Sequence, residues 1–220
     1  MIKMETLKEL LNPSTFFNII YVMAYTNTIT TNRLITRKLV YEDHVAWARF
    51  FGDTETAKFI TTLGETDHTK RATAWINKQL TRYANNEGGL QALIHKSTGE
   101  FIGQCGILRQ EIDGVSELEI GYHVFPQFRG QGYATEAATG FKQYVFENIV
   151  ADSIISIIHK DNIASQKVAL KNGMAKEKES QFYGMPVYVY RITLEAYEKA
   201  HAFLISLLHN FRVSGGLSNI

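Results

Sequence analysis

The chain has 220 residues, a length that one domain accommodates, of which 45% are apolar and 20% charged, as in an ordinary soluble globular protein. Lys and Arg total 23 against 22 Asp and Glu, so the basic surplus that phosphate neutralisation needs is missing and nucleic acid is excluded as the main partner. The single cysteine excludes an internal disulfide, no Cys/His pattern resembles a zinc site, and no apolar run reaches the ~18 residues of a membrane span, so we expect neither metal nor membrane.

The N-terminal segment contains a short apolar run at 16–25, which has the length of a signal-peptide core. Glu5 and Glu9 stand where a signal peptide has its basic region, and no clear small-x-small cleavage site follows. We therefore expect residues 1–30 to be an extension on a cytoplasmic domain, with Met23 as an alternative start.

Periodicity in the first half of the chain predicts one strand, two helices and then antiparallel hairpins. The predicted elements are a strand at 33–40, a helix opened by Glu42 and Asp43 and running to Phe51, a helix at 69–83, and strands at 90–95, 101–109 and 117–125. The turns between these last strands contain Gly99 and the pair Asp113-Gly114, both typical of hairpins.

The second half of the chain predicts a strand–helix alternation. Its elements are a helix at 133–148, an unbroken apolar strand at 153–159, a helix at 164–172 that ends at Gly173, a strand at 187–193 and an amphipathic helix at 194–211. The fold class is therefore α/β (α+β), with a mixed, mostly antiparallel central sheet flanked by helices. We assign residues 31–193 to this domain and 194–220 to a C-terminal helix and tail, packed on the domain or, as a homodimer face, on a partner subunit.

A glycine-containing loop, Gln127-x-x-Gly130-x-Gly132, lies between a predicted strand and a predicted helix. Glycines allow a tight turn and a close approach of a ligand to the backbone, and the free N–H groups of the next helix form an anion site. Arg129 adds a charge that could pair with phosphate, so a pyrophosphate is a natural guest. A tight turn without a ligand is the structural alternative.

Other phosphate-binding loops fit this stretch less well. A P-loop needs Gly-Lys-Ser/Thr, whereas Tyr133-Ala134 follow here. A Rossmann fingerprint needs a third small residue where Thr135 stands, and an acid at the end of the next strand, whereas Asp152 precedes that strand. A kinase glycine loop needs strands on both sides.

Together with its flanks, this loop resembles the acetyl-CoA loop of the GNAT N-acetyltransferase superfamily, in its ribosomal-protein N-terminal acetyltransferase (RimJ/RimL-like) branch. The preceding strand ends Gly121-Tyr122-x-x-Phe125-Pro126, and the next helix starts Tyr133-Ala-Thr-Glu-Ala137. The segments Thr31-Asn-Arg-Leu-x-x-Arg37, Asp161-Asn162-x-x-Ser165 and Lys171-Asn-Gly173 also match. The resemblance runs from about Thr31 to Thr193 and implies the GNAT acyl-CoA N-acyltransferase fold.

The resemblance also implies where acetyl-CoA, the acyl donor, would bind. Its pantetheine would run between two splayed strands, those at 119–125 and 153–159, and its pyrophosphate would sit on the loop amides. The implied contacts beside Gln127 are the amides of Arg129, Gly130, Gln131, Gly132, Tyr133 and Ala134, the backbone of Tyr122, His123 and Val124, and the side chains of Asn162 and Ser165.

The reaction that the resemblance implies is direct attack of a primary amine on the thioester. Many members use a tyrosine as the acid for the thiolate, but Ala169 stands at that position here, so Ser165 inherits the role; the alternative is a hydroxyl that caps its helix. For the base we select Glu119 and His123, which share one strand face; the alternatives are a solvated or salt-bridged strand carboxylate and a core or rim histidine.

The acceptor is narrowed by amine basicity alone. An α-amine has a pKa of ~7.7–8.0 and a lysine of ~10.4, a gap worth ~3.5 kcal/mol, so an enzyme without an obvious strong base suits a peptide N-terminus or a small amine. Candidates for the acceptor wall are Trp47, Phe50, Tyr183 and Tyr188, with core aromatics as the alternative reading. The rival function is a module that binds acyl-CoA for regulation or interaction without turnover.

Overall fold

The computed structural model describes residues 28–60, 65–149 and 151–213. Most of the predicted N-terminal extension therefore lies outside the described residues, as do Met23 and the run at 16–25. The strands are β1 Leu34–Lys38, β2 Gly88–His95, β3 Phe101–Ile112, β4 Val115–Val124, β5 Ser153–His159, β6 Ala175–Phe182 and β7 Met185–Thr193. The helices are α1 Asp43–Gly52, α2 Thr54–Ala57, α3 His68–Ala84, α4 Tyr133–Asn148, α5 Ile163–Lys171 and α6 Leu194–Val213, and a 3₁₀ turn spans Pro126–Phe128.

Within the described ranges, seven strands form one sheet in the order β1-β2-β3-β4-β5-β7-β6. All neighbours are antiparallel except β4 and β5, which are parallel and share a single register pair, Glu119 with Ile155. The predicted mixed, mostly antiparallel sheet is thus confirmed. A parallel pair that meets at one point diverges on either side of it, as expected for a splayed pair.

Both faces of the sheet are covered by helices. On one face α4 buries Ala138, Phe141 and Val145 against the central strands. On the other face Trp47 and Phe50 of α1 and Ile76 of α3 pack with Leu90 and Ala92 of β2. Because each helix carries its apolar side chains as one stripe, each closes one face of the sheet and leaves its polar side outward.

The strand β6 and the hairpin that it forms with β7 differ from the prediction. No element is predicted between Gly173 and the strand at 187–193, yet Gln181 pairs with Pro186 and only Tyr183 and Gly184 form the turn, with φ values of 49° and 76°. The sequence AKEKESQF lacks an apolar face because β6 is an edge strand, paired only with β7 and mostly exposed. The short helix α2 was also not predicted.

The helices α4 and α5 begin after the carboxyl ends of β4 and β5. Gly132, with φ of 84°, is the N-terminal cap of α4, and Asn162 caps α5 by accepting a hydrogen bond from Ser165 N at 3.1 Å. The C-terminal helix begins at Leu194, and its Tyr197 ring stacks on Phe146 of α4 at 4.9 Å. None of the helices in the described ranges combines the length and hydropathy that a bilayer crossing requires.

Candidate active site

A cavity of about 580 Å³ opens along β4 where that strand separates from β5. One end is formed by the glycine loop and the first turn of α4, and the other by β3, α3 and the tip of the β6–β7 hairpin. Glu119 and Val124 mark the two ends of the cavity on β4. The five residue steps between them correspond to ~17 Å of strand. The cavity is therefore long enough to hold two reactants in line.

The gap between the strands is held open by side chains that replace strand pairing. The Ser156 hydroxyl donates to Ile120 O at 2.9 Å, and Glu119 Oε1 accepts from Ile157 N at 3.3 Å. Beyond these bonds, Gly121 to Val124 pair with β3 only, so the backbone groups on the other edge of β4 face the cavity. This matches the expected splaying of these two strands.

The glycine loop presents amides that have no partner in the helix they begin. Gly130 and Gly132 have φ values of 75° and 84°, a region that favours glycine. The first hydrogen bond of α4 runs from Glu136 N to Gly132 O, which leaves the N–H groups of Tyr133, Ala134 and Thr135 without an intrahelical acceptor. Gly130, Gly132, Tyr133 and Ala134 all line the cavity.

Arg129 lines the cavity beside the two glycines and is also tied to the domain. Its guanidinium pairs with Asp53 at 2.7 Å and donates to Val124 O at 3.1 Å, and its own N–H donates to Pro126 O. Both its charge and its amide therefore hold the loop onto the domain, and its contact with a phosphate stays a prediction. Gln131 Nε2 donates to Gln127 O at 3.2 Å, and neither glutamine lines the cavity.

The loop is also held from the N-terminal side of the domain. Arg33 Nε pairs with Glu136 Oε2 at 2.6 Å and Arg33 Nη1 donates to Gln131 O at 3.0 Å, while its guanidinium stacks 4.2 Å above the Tyr133 ring. The Thr31 hydroxyl donates to the same Glu136 carboxylate at 2.7 Å. Burial raises the pKa of Glu136, but the hydrogen bonds from Thr31 and Arg33 and the charge of Arg33 outweigh burial and lower that pKa. They fix a loop whose glycines would otherwise be free to rearrange.

The start of α5 forms the β5 side of the cavity. Ser165 is held at both backbone groups, because its N–H donates to Asn162 Oδ1 and its carbonyl accepts from Tyr122 Oη at 2.8 Å. Asn162 is therefore the capping residue, so the reading of Ser165 as a helix cap is wrong. The Ser165 hydroxyl makes no hydrogen bond within the described part of the chain, and the residue lines the cavity, as Asn162 does. Ala169 is fully buried.

His123 lies in an aromatic enclosure on the cavity wall. Its ring meets those of Trp47, Phe50 and Trp75 edge-on at 6.3, 5.6 and 5.2 Å. Desolvation lowers the pKa of His123 from 6.5 to about 4. The imidazole is therefore neutral at pH 7, which makes it a weak base and an uncharged wall.

Glu119 is the buried carboxylate at the far end of the cavity, with 8% of its surface exposed. Burial is the largest influence and raises its pKa, while hydrogen bonds from Gln110 and Ile157 and the charges of Arg82 and Lys78 oppose that rise. A carboxylate with a raised pKa is a better proton acceptor near neutral pH than an exposed one. Period two along β4 places Glu119 and His123 in the same cavity, as expected.

Several cavity residues were not found from the sequence. Lys78 and Arg82 of α3 and Gln110 of β3 lie at the Glu119 end of the cavity. Lys167 and Lys171 line the cavity from α5. Only the i, i+4 spacing of the last two gave a signal, since it places both lysines on one helix face. The proposed acceptor wall is partly correct, since Phe50 and Tyr183 line the cavity, whereas Trp47 is core and Tyr188 does not line it.

Other candidate groups carry little chemistry. His159 lines the cavity, and its Nδ1 accepts from Asp161 N at 3.1 Å. Cys105 is buried in β3, and desolvation raises the pKa of its thiol. In residues 28–60, 65–149 and 151–213, no three His, Cys, Asp or Glu side chains gather into a metal-binding group.

Comparison with known proteins places this geometry among acetyltransferases. The acetyltransferase (GNAT) domain model matches residues 33–175. The uncharacterized protein YkkB of Bacillus subtilis is 30% identical over 163 residues, covering 74% of this chain and 93% of the relative. The uncharacterized N-acetyltransferase YnaD of the same organism is 30% identical over 149 residues, covering 68% and 83%.

Solved structures share the fold at lower identity. RimJ of Mycobacterium smegmatis, in complex with CoA-disulfide, superposes with a TM-score of 0.66 at 20% identity, covering 81% of this chain and 96% of RimJ. RimL, a ribosomal L7/L12 α-N-protein acetyltransferase in complex with coenzyme A, gives a TM-score of 0.64 at 14% identity, covering 77% and 99%.

Proposed function

The chain belongs to the GNAT acetyltransferase family and is an acetyl-CoA-dependent N-acetyltransferase, and on that premise we propose that its acceptor is an α-amine or a similarly acidic small amine. The observation that carries the proposal is the cavity itself, with orphan amides at one end and a buried carboxylate at the other. Holding two reactants in one geometry supplies much of the rate gain in such a transfer.

The residues at the loop end fit the acyl donor. The unpaired N–H groups of Tyr133, Ala134 and Thr135 at a helix N-terminus are suited to a pyrophosphate, and no Cβ obstructs them at Gly130 or Gly132. Lys167 and Lys171 of α5 add positive charge to the cavity lining. The free edge of β4 at Tyr122, His123 and Val124 offers backbone partners for the two pantetheine amides. Acetyl-CoA supplies an acetyl thioester at this edge.

Glu119 is the group best placed to take the ammonium proton. Glu119 lies on the cavity wall. Burial raises its pKa, which brings the basicity of the carboxylate toward that of an amine. His123, neutral at pH 7, shapes the wall and excludes water rather than taking the proton. Because an α-amine is already partly neutral at pH 7, a carboxylate base suffices for it, whereas a lysine requires ~3.5 kcal/mol more.

Ser165 is the candidate acid for the leaving thiolate. Its backbone is fixed on both sides by Asn162 and Tyr122, and its hydroxyl is left without a partner among the described residues. Many members of the family that the sequence resembles have a tyrosine as the acid, at a different position. In this chain that position is occupied by Ala169, which is buried. A module that binds acyl-CoA without turnover is the rival that the amine assay tests.

The cytoplasmic location and the homodimer stay predictions.

The test is release of the CoA thiol from acetyl-CoA against a panel of amines. The panel contains peptides with free and blocked N-termini, amino acids, amino-sugars and polyamines. Release that requires a free peptide N-terminus or a small amine of low basicity supports the proposal. Tight acetyl-CoA binding without release by any amine supports the binding module, and release only with lysine side chains contradicts the assigned acceptor class.

A further inference from the structure

Two cations at the Glu119 end of the cavity form no salt bridge with a carboxylate in the described part of the chain, although both act on Glu119 through their charge. Arg82 is buried at 8% exposure, and its Nη1 and Nη2 donate to Arg109 O at 3.1 Å and Gln110 Oε1 at 3.2 Å, both uncharged acceptors. Lys78, one turn earlier on α3, reaches over the Tyr183 ring at 5.7 Å. Neither forms an ion pair with any residue in the described ranges.

The acids that line the same cavity are already engaged. Glu119 accepts hydrogen bonds from Ile157 N and from Gln110, and Glu55 at the outer rim pairs with Lys58 at 2.7 Å. An arginine stays charged in a protein, and a buried charge is costly unless another charge compensates it. The wall therefore carries one more positive charge than negative charge at the point farthest from the glycine loop.

These cations are separate from the phosphate-binding region. Arg82 is bonded to Arg109 and Gln110, which pair with Leu118 and Glu117 of β4, whereas the loop follows Val124. The six residue steps from Leu118 to Val124 correspond to ~20 Å of strand. The cations thus lie on the acceptor side of Glu119, within reach of a group attached to the amine.

We propose that Lys78 and Arg82 bind a carboxylate of the acceptor, so that the substrate is a primary amine carrying a carboxylate nearby, and this inference rests on the proposed acetyl transfer. The planar guanidinium of Arg82 matches a carboxylate, and Lys78 contributes a mobile point charge at the mouth. The carboxylate comes from a free amino acid or from an acidic side chain near a peptide N-terminus. With the anion fixed, the amine is directed toward Glu119.

The test compares matched acceptors in the full chain by thiol release. One pair is leucine and leucinamide, compared at equal concentrations of neutral amine, and the other is the dipeptide amides Ala-Glu and Ala-Gln. We expect the wild type to favour the carboxylate member of at least one pair by ten-fold or more in kcat/KM, and the pair that shows it identifies the source.

The variants are Lys78→Gln, Arg82→Gln and, as a control on the same helix but off the cavity, Lys70→Gln. Within each cavity variant, the ratio of kcat/KM between the carboxylate and neutral members should fall to about three-fold or less, and Lys70→Gln should retain the full ratio. Because the charges of Lys78 and Arg82 also act on Glu119, the rate with the neutral acceptor changes in these variants, and only the ratio is diagnostic. Since Arg82→Gln alters a buried residue, Lys78→Gln alone must show the loss if Arg82→Gln does not fold. An equal preference for both members in the wild type, or a preference that survives Lys78→Gln and a folded Arg82→Gln, overturns the inference.

A binding measurement separates the inference from its premise. Titration of acetyl-CoA alone tests the premise, and loss of that binding contradicts the proposed function. If no acceptor is acetylated, titration of both pairs into the CoA complex replaces kinetics. Binding of the carboxylate member that Lys78→Gln abolishes supports the inference, and equal or absent binding of both members overturns it.

Discussion

The two ends of the cavity are built from different parts of the chain. At the glycine-loop end the ligand-facing groups are backbone amides from one continuous stretch, 130–135, fixed from outside by Arg33, Arg129 and Glu136. At the other end they are side chains from three separate elements, Lys78 and Arg82 of α3, Gln110 of β3 and Glu119 of β4. In the proposed function, the first end binds by a local conformation and the second by tertiary packing.

This difference separates what is shared from what is particular. A backbone cradle recognises a pyrophosphate with any side chains that keep its φ and ψ angles, so it suits a donor common to a family. Side chains gathered from three elements can change one at a time and alter the acceptor without disturbing the donor. Substitutions at the two ends should therefore affect different kinetic constants.

The largest effect is expected at the acceptor end. Glu119→Gln should lower kcat by ~10²–10³ with the Kd of acetyl-CoA nearly unchanged, because the variant lacks the proton acceptor but keeps the cradle. In the wild type kcat/KM should fall as pH drops through the raised pKa of Glu119, and this dependence should vanish in the variant. Steady-state kinetics between pH 5 and 9 and a melting curve check both; an unchanged kcat in a folded variant excludes Glu119 as the base.

The His123 wall between the ends should show itself in stability. Because the pKa of His123 is lowered to about 4 from 6.5, the unfolded chain binds the proton more readily between these values. The stability that the neutral His123 contributes to the folded protein is fully present above pH 6.5. It is lost as pH falls toward 4, by up to ~3 kcal/mol in the free energy of unfolding. Urea unfolding of the wild type and His123→Gln across this range measures it, and parallel curves for the two proteins would refute the buried neutral imidazole.

At the loop end a substitution should affect the donor alone. Gly130→Ala forces an alanine to a φ of 75°, which costs ~1 kcal/mol of stability, and places a methyl group where the ligand approaches. We expect the Kd of acetyl-CoA to rise ~10-fold or more. Gly114→Ala in the β3–β4 hairpin is the matched control, since its φ is 76° and its Cβ also meets open space. Equal loss of acetyl-CoA affinity in both variants would assign the effect to stability.

The smallest effect concerns the bracing of the loop from outside. Arg33→Ala removes the Glu136 ion pair and the bond to Gln131 O, so the KM for acetyl-CoA should rise about five-fold while kcat changes little. A half-exposed ion pair contributes up to ~1 kcal/mol, which corresponds to about this factor. Arg33→Lys should recover part of it. A fall in kcat at constant KM would place Arg33 in the chemistry instead.

Local features could be predicted from the sequence. The helix Tyr133–Asn148 and the strand Ser153–His159 have the predicted bounds, since each has an unbroken pattern with clear ends. The glycine loop could be located because glycine identity reports directly on backbone φ. The edge strand β6 could not, because solvent contact removes the apolar alternation on which strand prediction rests.

The acceptor end could not be predicted for a related reason. Arg82 and Gln79 are buried members of α3, yet they interrupt the apolar stripe and look solvent-facing in sequence. In the sequence, the position of Arg129 beside the glycines suggests a phosphate ligand. Its ion pair with Asp53, 76 residues earlier, could not be predicted. Such pairings depend on how helices pack on the sheet, which a single sequence does not encode in any local pattern.

Hydrogen–deuterium exchange with and without acetyl-CoA tests the division of the cavity most directly, because the amides of the loop end lack intrahelical partners and should exchange fast in the free protein. The account predicts that acetyl-CoA slows exchange at 130–135 and along 121–124, and leaves 78–82 of α3 unchanged. Protection centred on 78–82, or none at 130–135 at saturating acetyl-CoA, would contradict it.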